Sequence, residues 1–412
     1  MSKRVSKAPL APLAVPVAVC EVVGVLRGAG HTGWLVGESL HLLVRGELAT
    51  DYEISTSAST RQLLDLFPAA VPTRPGEETL SLPTKAGPVD LTPLGGGREI
   101  GDELRTRDFS VLALAYEPIE GEMLDPASGL ADVVADRLCC VGDASRRLVE
   151  DPLRCLRAAR LCAQHGYRPD AALAEALAKM SSNPASHSPL RPLRVRRELV
   201  PLLLSKQAAT GISLLRNCGL EQVLVPGARA DCAALIEALP FSLPLRLAAW
   251  LRGSPHRGLL RRLGFPLSLS EQVANLLEVH PIERAVNPAR PAALRRLRQR
   301  LGEEELLGLC ALRERELDLD SHPSRTHASN RAALIALRAG IERIRAAERL
   351  ESQRTRLVLT GRQVMEILGC GPGRRVGAAL RALSESVATG AVENSAAALR
   401  GELVRWSRTG GE

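Results

Sequence analysis

The hydrophobic periodicity of the chain changes once, near residue 140, and that change limits the fold more than any other feature. Before it, short runs with strand-like alternation are separated by turns: Gly33–Val36, Asp51–Thr56, Thr79–Pro83, Pro88–Leu94 and Phe109–Ala115. After it, leucine, alanine and valine recur every three or four residues almost throughout, the period of a helix with one buried face. A chain of 412 residues holds roughly two to four domains. The pattern therefore predicts an α+β unit followed by all-α units. Pro184–Pro192, rich in proline and serine, reads as a linker, and Ser321–Asn330 as a second loop. At the start, Pro9, Pro12 and Pro16 interrupt a moderately apolar stretch. Residues 1–16 are expected to be a disordered leader, and Val17–Arg27 a helix.

Within the α+β part, Asp51 and Glu53 stand one residue apart in LVGESLHLLVRGELATDYEISTS, Leu35–Ser57. On a strand both side chains leave the same face. Two acids placed this way can hold divalent cations that clamp a triphosphate during phosphoryl or nucleotidyl transfer. The same pair also suits two solvated charges at a strand end. The context adds weight: a glycine turn at Gly37, then a helix-like run Leu40–Val44, then the strand. That order brings backbone amides near the acids, where a triphosphate can lie.

Five ordered blocks resemble one family. Leu35–Ser57 follows a pattern that reads roughly LVGGxVRDxLLGxxxxDxDxxT, and LRTRDFSVLALAYEP at Leu104–Pro118 is similar to RRDFTxNALAY. LDPASGLADV at Leu124–Val133 and VGDASRRLVEDPLRCLRAARLCAQHGY at Val141–Tyr167 continue the match. LTGRQVMEILGCGPGRRVGAAL at Leu359–Leu380 resembles a tail segment of bacterial members. On these residues the chain is identified as a divergent member of the class II CCA tRNA nucleotidyltransferase and bacterial poly(A) polymerase family.

The resemblance implies an α+β nucleotidyltransferase head, a small mixed sheet with helices similar to DNA polymerase beta, over residues 17–140. It implies an all-α remainder: an RNA-binding neck over 141–235, then a tRNA-binding body and tail over 236–412. Asp51 and Glu53 would be catalytic and would bind Mg²⁺ or Mn²⁺, since carboxylate oxygens suit magnesium. Asp90, in PVDLTPL, falls where the family carries a third acid and would be catalytic with them; it reads equally as an exposed strand aspartate. Gly37, Arg107, Asp108, Glu150, Asp151, Arg154 and Arg157 would bind the nucleotide. Asp151, Arg154 and Arg157 are spaced three apart, so on one helix they share a face. In the family that helix is the protein template for the incoming base, a carboxylate accepting from an amino group and a guanidinium donating to ring acceptors. From periodicity alone the same residues suit surface ion pairs on an amphipathic helix. Arg191, Arg194, Arg196 and Arg197, in RPLRVRREL, match a segment like ERVRREL. Arg194 and Arg197 there, and Arg374 and Arg375 after the glycine turn GCGPG, are RNA-binding candidates. The first segment also reads as a solvated basic helix start, and the second as a plain helix–hairpin with surface arginines. Asp51, Glu53 and Asp151–Arg154 are expected to line one cleft.

The chain departs from the family pattern at Glu38, the second glycine of the turn, and at His41 and Leu42, which replace the arginine and aspartate of VRD. Thr106 replaces the first arginine of RRD, and Leu112 the asparagine of NALA. A carboxylate at 38 repels a triphosphate, and neutral imidazole lacks the permanent charge of arginine. Two readings follow. The first is a template-independent transferase that adds C and/or A from CTP or ATP to the 3′ end of tRNA. The second is a degenerate paralogue that binds RNA without transfer. Poly(A) synthesis is compatible with the same motifs.

Composition fits an anionic partner. The net charge is +8, and arginine supplies nearly all positive charge, a side chain suited to phosphate forks. Aromatics are only 2% of residues, so stacking platforms for single-stranded bases are scarce. Nine cysteines form no CxxC pair and read as reduced, mostly buried residues of a cytoplasmic protein. No apolar run reaches the length of a membrane span. The absence of a His-Asp dipeptide, a GxxxxGK(S/T) loop, a HExxH helix or a G-x-S-x-G elbow argues against phosphohydrolase, P-loop, metalloprotease and serine-hydrolase chemistry.

Overall fold

The computed structural model describes residues 13–408 except 75, 77, 183–189, 255–257, 321–325 and 356. The chain divides into two compact units, Met1–Glu278 and Val279–Glu412. Most of the expected leader, residues 1–12, lies outside the described residues, as do most of the linker and the first half of the second loop.

In the first unit, α1 (Val17–Gly28) leads into a seven-stranded mixed sheet. Its strands are β1 (Gly33–Val36), β2 (Tyr52–Thr56), β3 (Val71–Pro72), β4 (Leu80–Thr84), β5 (Gly87–Pro93), β6 (Ala115–Glu117) and β7 (Glu122–Leu124). Their spatial order is β3-β4-β5-β2-β1-β6-β7. Only β2 and β5 pair parallel; the other neighbours are antiparallel. Two-residue alternation sets the faces. Leu35, Ile54 and Leu91 are fully buried in register with one another, and the α1 residues Val23 and Leu26 pack against Gly33 of β1. Val36 points the other way. It joins Ile100, Leu104, Ala115 and Leu124 in a cluster that covers part of the opposite face, the face that carries Glu53.

Short helices connect the strands: α2 (Gly37–Val44), α3 (Thr60–Leu66), α4 (Ile100–Leu104) and α5 (Gly129–Val134). From residue 144 the unit is almost entirely helical: α6 (Ala144–Glu150), α7 (Leu153–His165), α8 (Ala171–Met180), α9 (Pro192–Leu203) and α10 (Ala208–Asn217), followed by further helices to Glu278. In the second unit, helices are the regular elements among the described residues. Leu359, Val364, Ala379, Leu383, Leu399 and Leu403 form a core there for its last helices. Among the described residues no helix is long and apolar enough to cross a membrane. The fold is thus an α+β head followed by helices.

Three local expectations are corrected. Phe109–Ala115 is not a strand: Ser110–Leu112 forms a 3-10 turn and β6 starts at Ala115. The alternation of Phe109, Val111 and Ala113 is real burial. The backbone, however, is held by other partners, because Ser110 Oγ donates to Asp132 at 2.5 Å and the Ser110 carbonyl packs against Gly129. The second loop is shorter than expected, since His327–Asn330 already belongs to the helix His327–Thr355. Asp151 is not on a helix. It is extended between α6 and α7, because the residue before Pro152 is pushed out of the helical region.

The helices α7, α9 and α10 meet at Gly211, where a Cβ would lie 2.9 Å from the Ala159 carbonyl and 3.0 Å from Leu202 and Ala163. Gly211→Ala should therefore overpack this junction and lower stability by about 1–3 kcal/mol. A shift of the urea midpoint measures this, and an unchanged midpoint refutes the close packing.

Candidate active site

The head and the helices after it enclose a cleft of about 640 Å³. Asp51, Glu53 and Asp90 lie on its sheet side, and Arg160, Gln164, Arg197 and Glu198 on its helical side. The sheet explains the acids. Glu53 of β2 and Asp90 of β5 are direct partners in the parallel ladder, so their side chains leave the same face. Asp51 stands just before β2, two residues from Glu53, and its only bond among the described residues is from Thr50 Oγ1 at 3.2 Å.

Gly37 opens α2 with φ of +73°. A Cβ there would collide with Glu53 Oε2. The glycine thus serves two needs at once: a left-handed backbone and contact with a candidate metal-binding carboxylate. The other oxygen of Glu53 accepts from Arg107 at 2.9 Å, while Glu103 binds the same guanidinium at 2.6 Å. Burial opposes the charge of Arg107, but Glu53 and Glu103 outweigh it and raise its pKa.

Asp108 faces the helices instead. One oxygen accepts from Arg154 Nε at 2.5 Å, and the other is bonded by Arg157. Burial disfavours this carboxylate, yet Arg157 and Arg154 hold it below its usual range. Arg147 grips the same segment from the α6 side, donating to the carbonyls of Thr106 at 2.5 Å and Arg107 at 2.7 Å. Glu150 accepts from Arg146, Arg147 and Arg154. Asp151 caps α7 through the Leu153 amide at 3.1 Å and pairs with Arg194 at 2.7 Å.

The sequence-selected residues thus fall into two groups. Asp51, Glu53, Asp90 and Arg197 line the cleft directly. Asp108, Glu150, Asp151, Arg154, Arg157 and Arg194 form an ion-paired set, in which Asp151 and Arg194 neutralise each other. Of the residues expected to share one lining, Asp51 and Glu53 face the cleft, while Asp151 and Arg154 are engaged by Arg194 and Asp108. Arg374 and Arg375 belong to the second unit, exposed at the start of the helix Arg374–Ala388.

Glu198 was missed by motif reading. It bonds Arg157 at 3.0 Å and Arg160 at 2.6 Å, and it lines the cleft. Its signal was an acid on the otherwise apolar face of α9, which buries Val195, Leu199 and Leu202.

The departures from the family pattern have partners. Glu38 accepts from Arg160 at 2.7 Å and lies 3.6 Å from His165 Nε2. Burial works against its charge, but His165 and Arg160 hold its pKa at about 2. His41 is fully buried, bonded to the Tyr167 hydroxyl at 2.5 Å and edge-on to His165. Burial, reinforced by the neighbouring His165, pushes its pKa down to about 3.

The donors at the sheet side of the cleft are carboxylate oxygens, the hard ligands that magnesium takes, so the residues fit such a cation. Among the described residues no three His, Cys, Asp or Glu side chains form a closed metal cage. A cation held by one or two carboxylates and completed by substrate phosphates requires none.

His41 gives this region a pH signature. Its folded pKa of about 3 lies below the ordinary 6.5. The neutral ring therefore contributes fully above pH 6.5 and loses that contribution as pH falls, because the unfolded chain takes up a proton that the folded chain refuses. Between pH 6.5 and 4.5 stability should fall by up to about 1.4 kcal/mol per pH unit. His41→Asn should flatten that slope in urea titrations; equal slopes would show that His41 is not held neutral.

Residues 166–232 match the family model described as "Probable RNA and SrmB- binding site of polymerase A". The CC-adding tRNA nucleotidyltransferase of Shouchella clausii is 31% identical over 219 residues, 53% of this chain and 56% of that one. That alignment spans little more than half of the relative's length. The A-adding tRNA nucleotidyltransferase of Deinococcus radiodurans is 30% identical over 431 residues, covering 90% of this chain and 95% of that one. Among solved structures, the Bacillus stearothermophilus CCA-adding enzyme in complex with CTP has a TM-score of 0.61 at 22% identity, covering 95% and 98% of the two chains. At that identity the structure shows a shared fold alone. The near-full-length match carries the assignment: this chain belongs to the class II tRNA nucleotidyltransferase and bacterial poly(A) polymerase family.

Proposed function

We propose that the chain is a template-independent nucleotidyltransferase that extends the 3′ end of tRNA with C and/or A, using CTP or ATP. The observation that carries this reading is the in-register placement of Glu53 and Asp90, with Asp51, on one wall of a cleft whose other wall carries arginines. The relatives that support it are named for CC addition, CCA addition and A addition to tRNA.

Asp51 and Glu53 would hold Mg²⁺ or Mn²⁺, with Asp90 beside them. A cation bound there supplies Lewis acidity for the attacking 3′-hydroxyl and for the departing pyrophosphate. The chain's own groups do the rest. Arg107 orients Glu53, leaving the oxygen that faces Gly37 directed to the turn. Arg197 brings positive charge to the wall opposite the acids, where Arg160 is already balanced by Glu38 and Glu198. Arg194 and Arg197, with Arg374 and Arg375 in the second unit, are candidate RNA contacts. Asp151 and Arg154 serve as base-reading groups only after exchanging their present partners, Arg194 and Asp108, for the nucleotide.

Labelled CTP or ATP, offered with tRNAs ending before CCA, at C and at CC in the presence of Mg²⁺, tests the proposal. Incorporation should vanish in Asp51→Ala. It should drop about a hundredfold in Gly37→Ala, which displaces Glu53 by roughly an ångström. Salt-sensitive tRNA binding with no incorporation would replace the transferase with an RNA-binding remnant.

A further inference from the structure

We infer that Glu38 is a positioning residue: by bonding Arg160 it docks the Gly37 turn and the start of α2 onto α7, and so holds Glu53 at the cleft. The inference rests on the transferase reading above and gives a role to a residue that breaks the family pattern.

The far end of the contact is rigid. Arg160 is only 7% exposed, and its guanidinium also donates to Glu198 at 2.6 Å and Gln164 at 2.8 Å. The Glu38 carboxylate at 2.7 Å is the third member of this set. The near end leads straight to the acids. Gly37, next in the chain, lies against Glu53 Oε2, and Arg107 holds the other oxygen. A shift of the turn must therefore move Glu53 or open a gap beside it.

Glu38 does not act alone. His41 and Arg45 follow at spacings of three and four, so the three side chains lie along one edge of α2 and the residue just after it. His41 meets Tyr167 and His165, and Arg45 lies over the Tyr167 ring and bonds Asp136 at 2.8 Å. The departures at 38 and 41 are thus one docking edge, matched by Arg160, His165 and Tyr167 on α7 and just beyond it. The charge that Glu38 brings to the cleft is compensated by Arg160. It also sits in the first turn of α2, where the helix end favours an anion.

The outcome differs in sign from what the motif suggests, since restoring the family's glycine should harm the enzyme. The test combines amide hydrogen exchange with steady-state incorporation for wild type, Glu38→Gly and Glu38→Gln. In Glu38→Gly, exchange at residues 36–41 should quicken about tenfold or more. In the same variant kcat should fall about ten- to a hundredfold, with the nucleotide KM kept within about twofold. Glu38→Gln retains an acceptor oxygen for Arg160 and should recover most of both losses. Unchanged exchange in Glu38→Gly overturns the docking role. A lower nucleotide KM with raised kcat/KM also overturns it and marks Glu38 as a source of repulsion only. If wild type incorporates no nucleotide, the transferase reading fails, and the exchange measurement alone then decides whether Glu38 docks the turn.

Discussion

A carboxylate bound by two arginines ties the sheet of the first unit to its helices. Asp108 leaves the segment after α4 and is bonded by Arg154 and Arg157, two residues of α7 spaced three apart. Each of these charges is costly to bury singly. Their arrangement is favourable only when complete, because removing one partner strands the others away from water. The neighbouring residue of the same segment, Arg107, reaches the opposite way to Glu53. Two adjacent side chains thus connect the acid-bearing strand to the helical scaffold, and the Arg147 bonds to the carbonyls of 106 and 107 keep the backbone between them in place.

From Asp108 the charges alternate in sign toward the cleft: Arg157, Glu198, Arg160, Glu38. Alternation lets a poorly solvated row of ions stay close to neutral, so that no member carries the full penalty of burial. It also separates two kinds of positive charge. Arg154 and Arg157 are bonded within the row, whereas Arg197 lines the cleft outside it. The candidate metal acid Asp51 has the same character on the other wall, bonded only by Thr50 among the described residues.

The positions that break the family pattern differ in what surrounds them. Glu38 and His41 are engaged by Arg160, His165 and Tyr167, so they belong to a consistent local packing. Thr106 contributes its backbone carbonyl to Arg147, a contact that any residue at this position can make. Leu112 ends the 3-10 turn half-buried, where its side chain offers apolar contact but no polar group. The departures at 38 and 41 are therefore paired with partners, and the one at 112 brings no polar group.

Two-residue and three-to-four-residue hydrophobic periods are local properties, so the division into a mixed α+β head and helices is legible along the chain. So is the turn–helix–strand order around Gly37, Asp51 and Glu53, since a glycine turn and an acid-x-acid strand are readable over some twenty residues. The break at Pro152 was equally present in the residues, and motif spacing obscured it. Which charged groups meet was decided only by the tertiary structure. Asp151 and Arg154 read as a template pair along the chain, yet each found a nearer partner, Arg194 and Asp108, from a different element. Glu38 read as repulsive until Arg160, distant in sequence, was placed beside it. Periodicity reports on burial, but an ion pair depends on distance and desolvation between elements, and these exist only once the helices have packed against the sheet.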